Sequence, residues 1–286
     1  MPSRRRLTWL DVFTSTPLAG NGLAVVHDAD DLDDATMLRI ARETNLSETT
    51  FVQEATEAGA DYCNRIYTIR EEIRFAGHPS LGTAVARARQ RGETSASYVQ
   101  QTIAGRQPLE VELAARTARA SMLMAPAEFG EPVEPEPVLG ALGLGPADAH
   151  PELPVQPVSC GIFHLMVPVR DGVALSRARP SLSRVETIVQ STGTMVLYAF
   201  VPASDGDVTR ARGFFATPDR VLEDPATGSA AGPLVAYLHH HAAEDDITIT
   251  QGVEMGRPSR LDASVEADGV RVGGECVIVL EGELSL

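Results

Sequence analysis

The sequence contains no lysine: all 24 basic residues among its 286 are arginine. This absence excludes the Schiff-base lysine of pyridoxal phosphate enzymes and aldolases, and the lysine of a Walker-type phosphate loop. Against the 24 basic residues stand 39 acidic ones, which gives a formal charge of −15 and an isoelectric point near 4.9. Because electrostatic binding to nucleic acid needs a basic surface, the composition argues against a nucleic-acid partner.

Cysteine is scarce as well. Cys63, Cys160 and Cys276 lie far apart and show neither a CxxC pair nor metal-ligand spacing. The sequence therefore predicts reduced, buried thiols, no metal site and a cytoplasmic protein. Long apolar runs are also missing, because the apolar segment at residues 7–13 is interrupted by Asp11. This predicts neither a signal peptide nor a membrane span.

A proline-rich segment divides the chain near its midpoint. Eight of the 19 prolines lie between residues 125 and 158, which favours a connection over a continuous strand or a long helix. The predicted domains are residues 1–127 and 128–286. Both halves consist mainly of short segments rich in β-branched and aromatic residues, and helical periodicity is clear only over 34–44 and 81–88. This pattern predicts an α+β fold.

An internal repeat relates the two halves. Residues 78–84 (HPSLGTA) match residues 224–230 (DPATGSA), and each copy lies between a predicted strand and a predicted helix. Proline suits the first turn of a helix, so each copy predicts a helix start. The N–H groups and positive partial charge of a helix start favour an anion. Two such starts facing each other predict a small carboxylate as the substrate class, bound without lysine.

Three ionisable side chains are candidates for chemistry. If the halves are related by a pseudo-twofold axis, His78 and Asp224 take equivalent positions on opposite walls of a cleft. A nearby carboxylate is expected to raise the pKa of His78 and to fix its tautomer. Glu48 lies where a helix ending at Asn45 meets a strand. Taken singly, His78 also fits a structural histidine and Glu48 a solvated residue near a turn.

The sequence offers no recognisable motif for a cofactor or an activated nucleophile. It has no HExxH, no GxSxG and no GxGxxG after a strand, so we expect no cofactor. His239, His240 and His241 are consecutive, and on a helix they point in different directions, so they do not form a ligand set. Acid–base groups beside an anion cradle predict proton transfer.

Five groups of motifs resemble, in order and spacing, the phenazine-biosynthesis PhzF-like family. They are DVF at 11–13 with AGN at 19–21, ARETNLSETTF at 41–51, FAGHPSLGT at 75–83, EDPATGSA at 223–230, and QG at 251–252 with EMGRPS at 254–259. The resemblance implies a fold like that of diaminopimelate epimerase, with two pseudo-symmetric domains, each a β-barrel-like sheet around a central helix. It also implies an active site between the domains, a last strand that can return to the first domain, and a homodimer.

The resemblance further implies a cofactor-independent isomerase acting on a small anionic substrate. The family's characterised activity is the isomerisation of trans-2,3-dihydro-3-hydroxyanthranilate, a proton-transfer reaction. Matched by motif, Glu48 is the general acid/base, while His78 and Asp224 orient the substrate and assist proton transfer. The matched substrate-contacting positions are Asn21, Gly77, Gly228 and Ser229.

Of two alternatives to this chemistry, the sequence argues against one and leaves the other open. Racemases and epimerases of the wider fold use a cysteine in each of two loops, and those positions correspond here to Ala76 and Thr227, so two-thiol racemisation is not expected. A non-catalytic protein that binds a small carboxylate on the same scaffold stays open as an alternative function.

Overall fold

The computed structural model describes residues 4–203 and 208–286. The chain divides into two compact units: the first comprises the residues up to Leu123 together with Gly273–Leu286, and the second comprises Met124–Val272. The boundary predicted after Ala127 lies close to the first of these divisions. The fold class is α+β, as the scarcity of helical periodicity predicts.

The first unit is built mainly from strands. Its strands are β1 (Arg4–Val12), β2 (Asn21–Val26), β3 (Glu48–Gln53), β4 (Tyr62–Tyr67), β5 (Glu72–Ile73), β6 (Ser95–Thr102), β7 (Gly105–Leu113), β8 (Thr117–Met124) and most of β17 (Gly269–Ser285), and its helices are α1 (Asp34–Thr44) and α2 (Gly77–Arg91). Eight strands close into a barrel in the order β1, β2, β3, β4, β6, β7, β8 and β17, and β17 pairs with β1 to complete the ring.

Helix α2 fills the interior of this barrel. Every residue from Gly77 to Ala86 is buried, and a helix without a polar face belongs inside a protein. Gly82 lets the helix approach the barrel wall, because a Cβ there would lie 2.6 Å from Leu23 Cδ2 and 2.9 Å from Val12 Cγ2. The helix predicted over 81–88 is confirmed, and it starts at Gly77, beside the proline that signalled a helix start.

The second unit contains more helices. Its elements are β9 (Glu128–Phe129), α3 (Pro135–Ala141), β10 (Gln156–Ser159), β11 (Phe163–Pro168), α4 (Gly172–Arg177), α5 (Leu182–Thr192), β12 (Leu197–Val201), β13 (Thr209–Ala216), β14 (Val221–Asp224), α6 (Gly228–Ala242), β15 (Asp246–Gln251) and β16 (Ser259–Glu266), with short 3₁₀ turns at Pro146–Asp148 and Val253–Met255. The proline-rich segment thus carries only short elements.

The two units repeat one topology. In the first, β1 to β2 is antiparallel, β2 to β3 parallel, β3 to β4 antiparallel, β4 to β6 parallel and β6 to β7 antiparallel. In the second, β10, β11, β12, β13, β15 and β16 follow the same sequence of orientations. Short β5 and β14 pair with β4 and β13, and each precedes the buried helix of its unit. The seven-residue sequence repeat therefore marks a repeat of the whole unit.

Outer helices cover one face of each unit. Helix α1 packs Met37 and Ile40 onto Val26 and Phe51, while α3, α4 and α5 share a core with β11 and β12. The periodicity of α1 was predicted, whereas α5, β6 and β16 were not. The last 17 strand residues form the single strand β17 (Gly269–Ser285). No helix in the described part of the chain is long and apolar enough to span a membrane.

Candidate active site

Asn21, Glu48 and His78 come together in the first unit. Asn21 opens β2, Glu48 opens β3 and His78 is the second residue of α2. The Asn21 amide Nδ2 lies 3.1 Å from His78 Nδ1. Because an amide nitrogen only donates, His78 Nδ1 accepts, and the proton of the neutral ring is on Nε2.

The other ring nitrogen of His78 faces Glu48. His78 Nε2 lies 3.4 Å from Glu48 Oε2, with 5% of the histidine side chain and 17% of the glutamate side chain exposed. Among the described residues this nitrogen has no partner within hydrogen-bond distance and angle. The carboxylate and the imidazole nitrogen are thus close neighbours that do not meet hydrogen-bond geometry.

The pKa of His78 departs from the sequence-based expectation. Burial lowers it to about 3, so the expectation that a neighbouring carboxylate raises it is wrong. Removing the imidazole from water disfavours its charged form, and this is the cause of the shift. His78 is therefore a neutral donor near neutral pH.

A buried hydrogen-bond chain supports the loop before His78. Asn64 Nδ2 donates to Gln100 Oε1 at 3.0 Å, Gln100 Nε2 donates to Ser80 Oγ at 2.6 Å, and the Ser80 hydroxyl donates to the Ala76 carbonyl at 2.8 Å. Ala76 is the residue before α2. Strands β4 and β6 thereby fix the point where the helix starts. Sequence reasoning missed Asn64 and Gln100, which lie outside the matched motifs.

Asp224, Gly228 and Ser229 lie together in the second unit. Asp224 ends β14, and Gly228 and Ser229 begin α6. Thr227, immediately before the helix, donates its hydroxyl proton to Asp224 Oδ2 at 2.8 Å. Threonine is a favoured residue for capping a helix at this position. Here its hydroxyl is hydrogen-bonded to Asp224 instead, and the described structure contains no side-chain cap on α6.

The two helix starts have a common property. Ala76 and Thr227 precede α2 and α6, and in the described structure neither side chain caps its helix. The first-turn N–H groups of Gly77 and Gly228 are therefore left to other acceptors, and a helix start attracts anions. Both glycines are buried, so these N–H groups lie in a low-dielectric setting.

Matching ion pairs hold the strands that lead to these starts. In the first unit, Arg65 Nε and Nη2 bind Glu72 Oε1 and Oε2 at 2.5 and 2.7 Å. In the second, Arg212 binds Glu223 in the same two-point manner, with both distances 2.8 Å. Arg212 is buried and also donates to the carbonyls of α4 and its end. Each glutamate lies in the short strand before its buried helix.

His164 was missed by sequence reasoning. It lies on β11 with no exposed surface, and in the described structure neither ring nitrogen has a partner within hydrogen-bond geometry. Burial lowers its pKa to about 4, opposed by the nearby Ser229 backbone. The Ser229 carbonyl lacks its usual helical donor, because Pro233, four residues later, has no N–H. The His164 ring lies beside this carbonyl.

The environments of the three cysteines disfavour the thiolate form. All three are free thiols. Burial raises the pKa of Cys160 and of Cys276 to about 12, and burial also raises that of Cys63.

The three consecutive histidines of α6 have different contacts. His239 Nδ1 lies 2.6 Å from Asp245 Oδ1, His241 Nε2 lies 2.8 Å from Gln156 Oε1, and the His240 ring packs against Phe129. Over residues 4–203 and 208–286, no three His, Cys, Asp or Glu side chains converge as metal ligands would.

Comparison with known proteins fixes the family. The family model described as phenazine biosynthesis-like protein matches residues 10–282. The chain belongs to the phenazine biosynthesis-like protein family. A relative in this family, the trans-2,3-dihydro-3-hydroxyanthranilate isomerase of Pseudomonas aeruginosa, is 36% identical over 274 residues, which are 93% of this chain and 92% of the relative. Further curated relatives are also named as isomerases, and this phenazine biosynthesis-like protein is an isomerase.

Solved structures agree with the family and extend the fold relationship. A Pseudomonas aeruginosa protein described as a predicted epimerase superposes with a TM-score of 0.86 at 35% identity, covering 98% of this chain and 99% of its own. The hydroxyproline epimerase of Agrobacterium vitis superposes with a TM-score of 0.65 at 13% identity, covering 99% of this chain and 93% of its own. The phenazine biosynthesis-like chain thus shares the epimerase-like fold.

Proposed function

We propose that this isomerase moves a proton on a small carboxylate without a cofactor, with Glu48 as the general acid/base. The observation that carries the proposal is the placement of Glu48 Oε2 3.4 Å from Nε2 of the buried, neutral His78. A carboxylate that takes a proton from one carbon and returns it to another changes no oxidation state. Such a reaction needs only a positioned acid–base group and a means of holding the substrate.

His78 and Asp224 orient the substrate and assist the proton transfer in this proposal. A neutral imidazole N–H can donate to a substrate oxygen or to Glu48, and it carries no charge that would compete with the anion. The backbone at Gly77 and Gly228 and the Ser229 hydroxyl bind the carboxylate. Asn21 contacts the substrate in this proposal, and its Nδ2 also donates to His78 Nδ1 at 3.1 Å, which keeps that ring nitrogen unprotonated.

The substrate class rests on two supports. Helix starts without side-chain caps favour an anion in a protein that has no lysine, and a relative 36% identical over most of the chain is named for trans-2,3-dihydro-3-hydroxyanthranilate. We therefore propose trans-2,3-dihydro-3-hydroxyanthranilate or a closely related cyclic carboxylate. We also propose a homodimer, which sedimentation of the purified chain tests directly.

Isomerisation in heavy water tests the role of Glu48. The wild-type chain is incubated with trans-2,3-dihydro-3-hydroxyanthranilate in D₂O, and deuterium in the product is measured by mass spectrometry. We expect Glu48→Gln to lower both isomerisation and deuterium incorporation by at least about a hundredfold, because the amide cannot accept the proton. Glu43→Gln, at an exposed position of α1, is the matched control and keeps wild-type rates.

Two outcomes contradict the proposal. Full incorporation of deuterium by Glu48→Gln would remove Glu48 from the reaction. Tight binding of cyclic carboxylates by the wild type, with neither product nor isotope exchange across a broad panel, would favour the alternative of a non-catalytic carboxylate-binding protein.

A further inference from the structure

Gln251 connects the parts of the loop that carries Asp224. It is the last residue of β15 and has 1% of its surface exposed. Its Oε1 accepts from the Thr227 backbone N–H at 3.1 Å and from the Tyr198 hydroxyl at 2.8 Å. Its Nε2 donates to the Asp224 carbonyl at 2.7 Å and to Thr227 Oγ1 at 2.9 Å. One side-chain amide therefore makes four hydrogen bonds, and three of them go to the loop.

The backbone partners fix the direction of every hydrogen bond in this network. The Thr227 N–H can only donate and the Asp224 carbonyl can only accept, so the Gln251 amide has one possible orientation. Thr227 Oγ1 must then accept from Gln251 Nε2. Its own proton is directed at Asp224 Oδ2, 2.8 Å away, where it meets a carboxylate oxygen as acceptor.

Tyr198 completes the network as a permanent donor. Its hydroxyl is fully buried on β12, and burial, together with the charge of Asp224, raises its pKa above the usual range. The phenol thus stays protonated and donates to Gln251 Oε1. A buried network in which each member is satisfied is rigid, and removal of one member leaves polar groups unpaired.

Gly213 provides independent support, because it makes room for the network. It pairs with Asp224 between β13 and β14. A Cβ at Gly213 would lie 2.6 Å from Thr227 Oγ1 and 3.3 Å from Gln251 Nε2. The Gly213 backbone, which lies opposite Asp224 in the sheet, is therefore packed against the Thr227 hydroxyl that holds the carboxylate and against the Gln251 amide that holds the loop backbone.

We propose that Gln251 and Thr227 are positioning residues that hold the Asp224 carboxylate in one orientation for the isomerisation. This inference rests on the proposed function, in which Asp224 assists proton transfer. The hydrogen bonds from Gln251 fix the loop backbone at Asp224 and Thr227, and the Thr227 hydroxyl fixes the carboxylate itself. Neither positioning residue needs to touch the substrate.

The test compares Thr227→Val, Thr227→Ser and Gly213→Ala with trans-2,3-dihydro-3-hydroxyanthranilate as the substrate. Valine keeps the shape of threonine and removes the donor to Asp224, so we expect kcat to fall about tenfold to a hundredfold while KM changes less than about threefold. Serine keeps the hydroxyl and restores kcat to within about threefold of the wild type. Gly213→Ala displaces the hydroxyl and lowers kcat in the same way as valine.

Thr209→Val is the matched control. Thr209 is fully buried on β13 of the same unit, and in the described structure its hydroxyl has no hydrogen-bond partner. The same chemical change there leaves kcat and KM unchanged. Melting temperatures of all four variants show that each is folded before its kinetics are compared. A folded Thr227→Val chain with wild-type kcat would overturn the proposal, as would a serine variant as slow as valine.

A second readout does not depend on turnover. In the wild type, both side-chain amide protons of Gln251 are hydrogen-bonded and buried, so NMR should show slow exchange with D₂O. Thr227→Val removes one acceptor and speeds this exchange, whereas Thr209→Val does not. Fast exchange in an active wild type would contradict the network alone. Slow exchange in a wild type that fails to isomerise the substrate would contradict the proposed function, and with it the catalytic meaning of the network.

Discussion

Arg212 holds Glu223 in a two-point ion pair, with Nε to Oε1 and Nη2 to Oε2 both at 2.8 Å. Only 4% of the arginine side chain and 19% of the glutamate side chain are exposed. Glu223 is the residue before Asp224, so this pair anchors the strand that ends at a proposed catalytic group. A planar guanidinium can make both contacts at once, and a lysine ammonium cannot.

Arg212→Lys should therefore destabilise the second unit and slow the isomerase. We expect the free energy of unfolding to fall by about 2–4 kcal/mol, because a partly buried carboxylate loses one of its two donors and the carbonyls of Leu175 and Ala178 lose theirs. Urea unfolding measures the change. Arg271→Lys is the control, since the Arg271 pair with Glu266 is partly exposed and its change should cost less than about 1 kcal/mol. Equal losses for the two variants would contradict the anchoring role of Arg212.

The hydrogen bond from Asn21 should determine the tautomer of His78. Asn21→Asp replaces the donor at Nδ1 with an acceptor, so the ring proton moves to Nδ1 or the ring becomes charged. Nitrogen-15 NMR of the imidazole distinguishes protonated from unprotonated nitrogens, and in the wild type it should show Nε2–H with a bare Nδ1. We expect the aspartate variant to lose most of its activity while it stays folded. A wild-type ring protonated at Nδ1 would refute the assignment.

Buried histidines should make the protein sensitive to mild acid. Burial is the main cause that lowers the pKa of His27 and of His164 to about 4 and that of His78 to about 3, from 6.5. Between pH 6.5 and about 4 the unfolded chain therefore binds protons that the folded chain does not. The free energy of unfolding falls as the pH falls through this window, by up to about 1.4 kcal/mol per pH unit for each histidine.

Urea unfolding at several pH values measures this slope. His27→Gln should reduce it, because one buried imidazole no longer differs between the folded and unfolded states. His240→Gln, at an exposed position of α6, should leave it unchanged. Stability that stays constant from pH 6.5 to about 4 would show that these rings are protonated in the folded protein.

Two glycine substitutions should have opposite effects on stability. Gly82→Ala places a Cβ 2.6 Å from Leu23 Cδ2, so we expect a loss of about 1–3 kcal/mol from overpacking between α2 and β2. Gly140→Ala lies in α3, where the nearest heavy atom to a new Cβ is Arg184 Nη1 at 3.7 Å. There we expect a gain of about 0.5–1 kcal/mol from reduced freedom of the unfolded chain. Thermal unfolding compares both with the wild type, and a stabilised Gly82→Ala would contradict the tight packing of α2.

Local sequence signals predicted much of the fold. The apolar spacing of Met37, Ile40 and Ala41 predicted α1, and the two proline-containing repeats predicted the starts of α2 and α6. These local signals failed for segments whose side chains are buried by contacts with distant parts of the chain. Strand β6 (SASYVQQT) is polar along most of its length, and its Gln100 is buried only because Asn64 and Ser80 satisfy its amide.

The candidate site was predicted from the sequence as a set of residues, and its roles stay predictions. The matched motifs named Asn21, Glu48 and His78, and the structure brings these three together in the first unit. The direction of the pKa shift of His78 could not be read from the motifs. It depends on how completely the barrel excludes water from the ring, which is a property of the packed unit.

By itself, the sequence determined the absence of lysine, the net negative charge, the two helix starts and the family, because composition and short motifs are local properties of the chain. Only the tertiary structure decided which groups meet. Gln251 lies 24 residues after Thr227 in the chain yet forms three hydrogen bonds with its loop, because β15 pairs with β13 beside β14. Contacts between distant segments depend on strand register and on the exclusion of water, and no local pattern encodes either.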